Sequence, residues 1–525
     1  MERAARDQIF HQARWNEPIV FELSEPGQRG IIVPEVGADM EASVGDGVSS
    51  IPSSVRRDDL PDLPELGQLQ VLRHFNHLAQ ENLGVDLNID IGQGTCTMKY
   101  SPKVNESFVS SPKMADIHPL QDETTVQGAL EIMYRLGEFF KEISGLDYFS
   151  LQPGGGSHGA LAMASMVRAY FKDQGQEDVR DQVITTFFSH PADAAVPIVK
   201  GYSVTVVPPD EYGLPDLEAF KAALSERTAA IFFTNPEDTG IFNSRITEFT
   251  RLAKEVGALR CYDQANANGL LGITRAREAD FDISFFNLHK TFSSPHGCGG
   301  PATGLVAARE FLREYLPAPV VIRRMDGEYG LDWDLPRSCG KVKSFYGTLP
   351  AIVRAYAWIM SLGADGLREV SRVAVLNNNY VMKRLLAIRG CSMSFPDHAP
   401  RVEQVRYSWE KLKEETGFGT GDVQRRTADF GTHYWSSHEP WVIPEPFTIE
   451  PSESYSKADL DRYCDILTRI ASECYSDPEV IRHAPHNSSI HHVDHDVLDD
   501  PERWAITWRS YRKKYDGYFE KKDDR

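Results

Sequence analysis

Cysteine is scarce in this chain. Seven cysteines stand singly at 96, 261, 298, 339, 391, 464 and 474, and no two form a CxxC pair. Such an odd, sparse set in a large protein argues against a disulfide framework and predicts reduced thiols and a cytoplasmic home. Long apolar runs are missing as well. None approaches the roughly 20 residues that span a bilayer, and the opening MERAARDQIFHQARWNEP has no apolar signal-peptide core. No membrane partner is expected. Positive charge is in deficit: 56 Lys and Arg face 76 Asp and Glu, for a net charge of -20. That balance argues against nucleic acid as a partner, because phosphate binding needs clustered basic residues. Metal-ligand spacing is absent too. The tail HAPHNSSIHHVDHD carries His483, His486, His491, His492 and His495, but in no HExxH or paired-cysteine pattern. No metal is expected.

What is present describes an ordinary globular protein. Its 525 residues are 41% hydrophobic and 25% charged, too many for one core and enough for two or three domains. Residues 1–66 are irregular and rich in Gly, Pro, Ser and Asp, so 1–124 reads as an extended N-terminal arm and entry segment. From about 125 the texture changes. A helix-like TTVQGALEIMYRLGEFFKEIS leads into YFSLQP, a glycine loop and a helix-like ALAMASMVRAYFKD. Short β-rich runs follow at 183–189, 202–208, 229–235, 259–263 and 282–287, with helical spacing between several of them. Ile246, Phe249, Leu252, Ala253 and Val256, for example, share one helix face. The alternation predicts an α/β domain over 125–345 built on a mainly parallel sheet. After 345 the chain turns helical and then mixed. A smaller α+β domain is expected over 346–525, behind a long connecting helix.

Sites in such sheets lie beyond the carboxyl ends of the strands. His190, Asn235, Asp263 and Lys290 all fall at or just after such ends. In NLHKTFSSPHGCGGP (287–301), Lys290 is the one full charge, and apolar segments flank the stretch on both sides. A buried ammonium without a partner tends to lose its proton, and the resulting amine is a nucleophile ready to form a Schiff base. Asp263 follows LRCY, with few positive residues near it. It must be solvated or meet a cation, and the protonated pyridine nitrogen of pyridoxal phosphate is one such cation. His190, after TTFFS, either caps a helix or lays its flat ring on a cofactor ring. QPGGGSHGA (152–160) fits GxGxxG through Gly154, Gly156 and Gly159. A dinucleotide site would also need an acid at the end of the next strand, whereas Asp173 and Glu177 lie in helix or loop. What survives is a phosphate cradle of backbone amides, including those of Gly155, Gly156 and Ser157, at a helix N-terminus. A phosphate loop, a flat histidine, an aspartate and an amine in that order form a coherent set.

These stretches resemble the glycine decarboxylase family, the P-protein of the glycine cleavage system, and within it the second subunit of the split form. The resemblance runs from FELSEPGQRG near residue 21 to YRKKYDG near 517. It is carried by GTCTMKYSPKVNE (94–106), CYDQANANGLLG (261–272), NLHKTFSSPHGCGGP, GKVKSFYGTLPAIVRAYAWI (340–359), AVLNNNY (374–380), FTIEPSESYSKADLD (447–461) and APHNSSI (484–490). It implies a fold-type-I pyridoxal-phosphate enzyme, a homodimer in solution, with the cofactor on Lys290 of the His289-Lys290-Thr291 motif. Asp263 then faces the pyridine nitrogen and His190 stacks on the ring. Lys290, His190 or His158 serves as acid or base, and His289 joins the cofactor contacts.

The chain departs from the family pattern around the pocket. Gly154, Gly155, Ser157, His158 and Ala160 replace Asn, Ser, Ala, Gln and Glu, and Asp193 stands at an asparagine position. NPEDTG (235–240) brings Glu237 and Asp238 close to the site, VEQV (402–405) replaces a His-Glu-Phe-Val segment, and Cys298 interrupts a run of glycines. Glycines enlarge a pocket and added carboxylates favour a cation. The expectation drawn from this is a diverged biosynthetic enzyme acting at the α-carbon of a larger amino acid, S-adenosylmethionine being the concrete candidate. The alternatives are a glycine dehydrogenase (decarboxylating) second subunit, working with a lipoyl carrier protein and a first-half subunit, and a non-catalytic binding protein on the same scaffold. Retention of Lys290 and Asp263 counts against the last.

Overall fold

The computed structural model describes residues 10–45, 47–57, 63–92, 99–295, 302–397, 400–437, 442–489 and 507. The chain forms two compact units. One comprises Met1–Leu83, Asp429–Gly431 and His483–Arg525; the other comprises Gly84–Ala428 and Thr432–Arg482.

In the first unit, the segment before residue 38 has no helix or strand among its described residues, as its Gly- and Pro-rich composition predicts. Helix α1 (Gln68–Gln80) starts after Gly67, whose N–H donates to the Gln70 side chain at 2.8 Å. His74 and His77, one turn apart on α1, both reach the Glu17 carboxylate, at 2.8 and 2.6 Å. The Trp15 ring stacks on His77 at 3.9 Å, which ties the arm to this helix face.

The second unit is built on one large sheet. Its strands and main covering helices include, in order, α2 (Gln127–Ser144), β1 (Tyr148–Ser150), α3 (Gly156–Asp173), β2 (Gln182–Thr186), α4 (Pro191–Val199), β3 (Ser203–Val207), β4 (Thr228–Thr234), α5 (Ile246–Glu255), β5 (Leu259–Gln264), β6 (Ile283–Asn287) and β7 (Gly304–Ala308). The strand order is β1-β7-β6-β5-β4-β2-β3. β3, β2, β4, β5 and β6 run parallel, and β7 lies antiparallel to both β6 and β1. Parallel strands covered on both faces read as continuous apolar runs. That explains TAAIFFT and ISFFN. Phe232 and Phe285 pack in a core with Met163, Val167 and Phe171 of α3, whereas Phe233 and Phe286 join Leu136, Phe140 and Phe249 in the other. Alternate residues of each strand thus feed separate layers.

An antiparallel pair, β8 (Val320–Arg323) and β9 (Tyr329–Asp332), follows, and after it a three-stranded sheet. Helix α6 (Leu349–Leu385) is the expected long connection, interrupted at Gly363, whose φ of 63° lies in the left-handed region. Strands β10 (Ser392–Met393), β11 (Val405–Ser408) and β12 (Pro446–Ile449) pair antiparallel in that order, and α7 (Lys457–Ser476) packs against α6. A capping box opens α7: Ser456 Oγ accepts from the Asp459 N–H, and Asp459 accepts from the Ser456 N–H.

Candidate active site

The carboxyl ends of β2, β4, β5 and β6 converge on one pocket. Its lining includes His190, Asn235, Glu237, Asp238, Asp263, Asn266, Lys290, Glu403 and Gln404. Each arrives by a different route. β6 ends at Asn287 and the chain turns at once, with the Lys290 N–H donating to the Asn287 carbonyl at 3.3 Å. The turn is held from both sides: Ala267 N–H donates to Thr291 Oγ1 at 2.9 Å, and Ser294 Oγ donates to the Ala351 carbonyl at 2.6 Å. Lys290 is 6% exposed and forms no ion pair among the described residues. Asp263 is the fifth residue of β5, and its Oδ1 accepts from the Ala265 N–H at 2.7 Å. Burial pushes its carboxyl up, while the Ala265 amide, the Lys290 charge and Asp193 pull it back down.

His190 stands at the N-cap of α4, where its Nδ1 accepts from the Ala192 N–H at 3.1 Å. Of the two roles open from the sequence, helix capping is therefore observed, and the ring still faces the pocket. Gly155, Gly156, Ser157 and His158 lie outside this lining, at the N-terminus of α3. His158 Nδ1 accepts from the Gly154 N–H at 3.1 Å, and Ser157 is exposed. His289 connects the two regions: its Cε1 lies 3.9 Å from the point where a Gly155 Cβ would stand, and its Nδ1 meets the Thr303 carbonyl at 2.9 Å. Gly155 has φ 151° and ψ -170°, a backbone open essentially to glycine alone. Cys298 and its neighbouring glycines, with His491, His492 and His495, lie outside the described residues. No group of three or more His, Cys, Asp or Glu able to hold a metal occurs among the described residues.

Sequence reasoning did not single out several members of the site. Glu403 is buried, and burial together with Glu450 pushes its carboxyl well above the usual range against the pull of Lys290. Glu450 also takes hydrogen bonds from Asn266 and, at 3.1 Å, Asn268. Lys343 was missed as well. Its Nζ donates to Thr348 Oγ1 at 2.5 Å beside the glycine loop, and burial draws its pKa down. The signal for Lys343 lies in GKVKSFYGTLP, one of the stretches that carry the family resemblance.

Two protein families match the chain: aminotransferase class V over residues 155–320, and the glycine dehydrogenase C-terminal domain over 370–493. A probable glycine dehydrogenase (decarboxylating) subunit 2 from Pyrococcus furiosus is 43% identical over 96% of this chain and 98% of its own. One from Caldanaerobacter subterraneus is 39% identical over 91% and 96%.

The chain belongs to the glycine dehydrogenase (decarboxylating) subunit 2 family.

Among solved structures, the glycine decarboxylase (P-protein) of the glycine cleavage system, in inhibitor-bound form, is 19% identical and superimposes with a TM-score of 0.70, covering 84% of this chain and 100% of that one. The fold is thus the expected fold-type-I arrangement, with a mainly parallel large sheet and a smaller α+β part. As a member of the glycine decarboxylase family, the chain is a pyridoxal-phosphate-dependent enzyme.

These relatives overturn the expectation of a diverged biosynthetic enzyme acting on S-adenosylmethionine or another larger amino acid. The pocket supplies the physical reason. Asp238 is engaged by Arg406 of β11 and by Gln404 Nε2 at 3.0 Å, so its charge is not open to a cationic ligand. Burial pushes Glu237 up to about 8, so it is uncharged at neutral pH. The space beside Gly154 is taken by His158 and Lys343, at 3.1 and 3.4 Å from a Cβ built there.

Proposed function

We propose that this chain is the cofactor-bearing second subunit of a glycine dehydrogenase (decarboxylating), removing the carboxylate of glycine and passing the remaining aminomethyl group to a lipoyl carrier protein with the help of a first-half subunit. The observation that carries this reading is the near full-length likeness to curated second subunits, with Lys290, Asp263 and His190 gathered in one pocket. Homodimerisation of this chain and a cytoplasmic location, the latter in keeping with five unpaired cysteines among the described residues, complete the proposal.

The residues present fit pyridoxal phosphate. Asp263 is a buried carboxyl with an amide on one oxygen and no ion pair among the described residues, which suits a cationic ring nitrogen. Lys290 offers a buried amine for an aldehyde, and Gly155, Gly156, Ser157, His158 and His289 surround the α3 N-terminus, where backbone N–H groups favour a phosphate. When bound, the cofactor supplies an electron sink for the pair left at the α-carbon by a departing carboxylate. The protein supplies the setting. Asp263 opposes loss of charge at the ring nitrogen, and the flat His190 ring forms one wall. Lys290 would carry a proton to or from the α-carbon, with His190, which lines the same pocket, as the alternative. The neutral Glu237 and the engaged Asp238 add no free negative charge to repel a substrate carboxylate.

The test is exchange of labelled bicarbonate into glycine in the presence of a lipoylated carrier and the first-half subunit. Exchange into glycine but not into larger amino acids is expected. Exchange into a larger amino acid alone would overturn the assignment.

A further inference from the structure

We propose that Asp193 is a positioning residue: it stands protonated against Asp263, donates its O–H to that carboxylate, and so fixes the orientation and charge that Asp263 presents to a ring nitrogen. The inference rests on the cofactor-binding reading above and deepens it.

Asp193 is the third residue of α4 and is wholly buried, at 0% exposure. Its carboxyl lies against that of Asp263, with the His190 backbone as its other polar neighbour. Neither buried Asp193 oxygen receives a hydrogen bond from an N–H or hydroxyl donor among the described residues. Two carboxylates in contact away from water cannot both ionise, so the pair holds one proton between them. The surroundings decide which residue carries it. Asp263 has the Ala265 N–H at 2.7 Å and the Lys290 charge nearby, and both favour its ionised form. Asp193 has no ion pair with Lys or Arg among the described residues, and the Glu237 carboxyl beyond it, itself neutral, supplies no positive charge in its place. The groups that face the pair from other elements are Cys261 on β5, Glu237 after β4, Lys290 after β6 and Glu403 before β11. Of these, Lys290 is the cation, and it acts on Asp263. The proton therefore sits on Asp193. The pKa directions agree: burial and Asp263 drive Asp193 well above the carboxylate range, while the hydrogen bond from Asp193 pulls Asp263 down.

A protonated carboxyl and an amide have the same shape, and each offers a donor. Asp193→Asn should therefore keep the hydrogen bond to Asp263, and Asp193→Ala should lose it. The experiment uses holoenzyme and pyridoxal phosphate, with two readouts. In infrared difference spectra, wild type should show a protonated-carboxyl band, sensitive to deuteration, that Asp193→Asn lacks. In cofactor titrations, Asp193→Ala should bind pyridoxal phosphate roughly tenfold or more weakly, as expected for losing a hydrogen bond to a charged group. Asp193→Asn should restore affinity to within about threefold of wild type, well inside the tenfold that 1.4 kcal/mol represents. Equal affinity of the Ala and Asn variants, or an unchanged infrared band in Asp193→Asn, would overturn the proposal. If Asp193→Ala does not fold, the infrared comparison of wild type with Asp193→Asn decides alone. Borohydride reduction of the wild type separates the two levels. Cofactor fixed on a lysine other than Lys290 overturns the site reading and the inference together. Cofactor on Lys290 with no effect at Asp193 overturns the inference alone.

Discussion

Glu237 offers a direct measurement of how the pocket treats charge. Its side chain is 5% exposed beside the Thr186 hydroxyl, and burial lifts its pKa from the ordinary 4.5 to about 8. Below 4.5 the residue is protonated in both the folded and the unfolded chain, and its contribution to stability is fully present. Between 4.5 and 8 the unfolded chain releases the proton while the folded chain keeps it, so stability falls as pH rises. Above 8 the loss is complete. A span of about three and a half pH units at about 1.4 kcal/mol each sets a full extent of ~5 kcal/mol, of which ~3 kcal/mol falls between about pH 6 and 8. Glu237→Gln keeps the shape and cannot ionise. Urea denaturation of wild type and variant, compared at the same pH and with a shared slope against denaturant, isolates this one residue. The variant should gain on wild type by about 1.4 kcal/mol for each pH unit from about 6 to 8. Parallel curves would refute the reasoning, because they would mean that Glu237 is already ionised in the folded pocket.

Asp238→Ala should cost ~3–5 kcal/mol of stability by leaving the buried Arg406 guanidinium without its partner, whereas a solvent-facing Asp238 would cost under about 1 kcal/mol. Equilibrium denaturation distinguishes the two. Lys290→Ala should abolish covalent retention of pyridoxal phosphate on borohydride reduction while leaving the far-ultraviolet circular dichroism unchanged. Gly155→Ala should weaken cofactor binding roughly 10- to 100-fold, because φ 151° resists any Cβ at a cost of ~1–3 kcal/mol. Gly154→Ala, which meets only the movable ends of His158 and Lys343, should change it less than about threefold, well under the 1.4 kcal/mol of a tenfold change. Equal sensitivity at the two glycines, read by cofactor titration, would show that loop volume and not backbone geometry governs binding.

Much of the large sheet was legible because its strands are buried on both faces. AAIFFTN and DISFFN are apolar whichever side each residue faces, and the helical spacing of Ile246, Phe249 and Ala253 marks the covering layer. The direction of β7 was not legible. GLVAA has the look of any buried strand, and its antiparallel place between β6 and β1 depends on pairings that leave no periodic trace. The site divides in the same way. That Lys290, Asp263 and His190 share one pocket was legible because each is a chemically distinct residue just at or beyond a strand end. Glu403 was not, because its approach to Lys290 depends on the small sheet folding against the large one, and VEQV alone carries no sign of it.

The sequence counted Glu237 and Asp238 as two negative charges added to the pocket, and from that sum a cationic ligand followed. A formal charge acts on a ligand only while it is neither paired nor protonated. Asp238 is paired, through Arg406, which burial draws down to about 10 and which therefore remains charged at neutral pH. Glu237 is protonated by burial, and burial with neighbouring acids drives Glu403 the same way. The partner of Asp238 lies in β11, far along the chain, and the burial of Glu237 and Glu403 arises only when both sheets are in place. No local pattern could report either. With those charges removed from the sum, the ionisable features left at the centre are the Lys290 amine, the His190 ring and Asp263 with the proton-sharing Asp193 proposed behind it. With pyridoxal phosphate bound as proposed, these would meet the cofactor's aldehyde and ring nitrogen rather than the side chain of a substrate. On the proposed reading, a pocket built that way would select by the chemistry of the amino-acid backbone, which is the part of a substrate that glycine has.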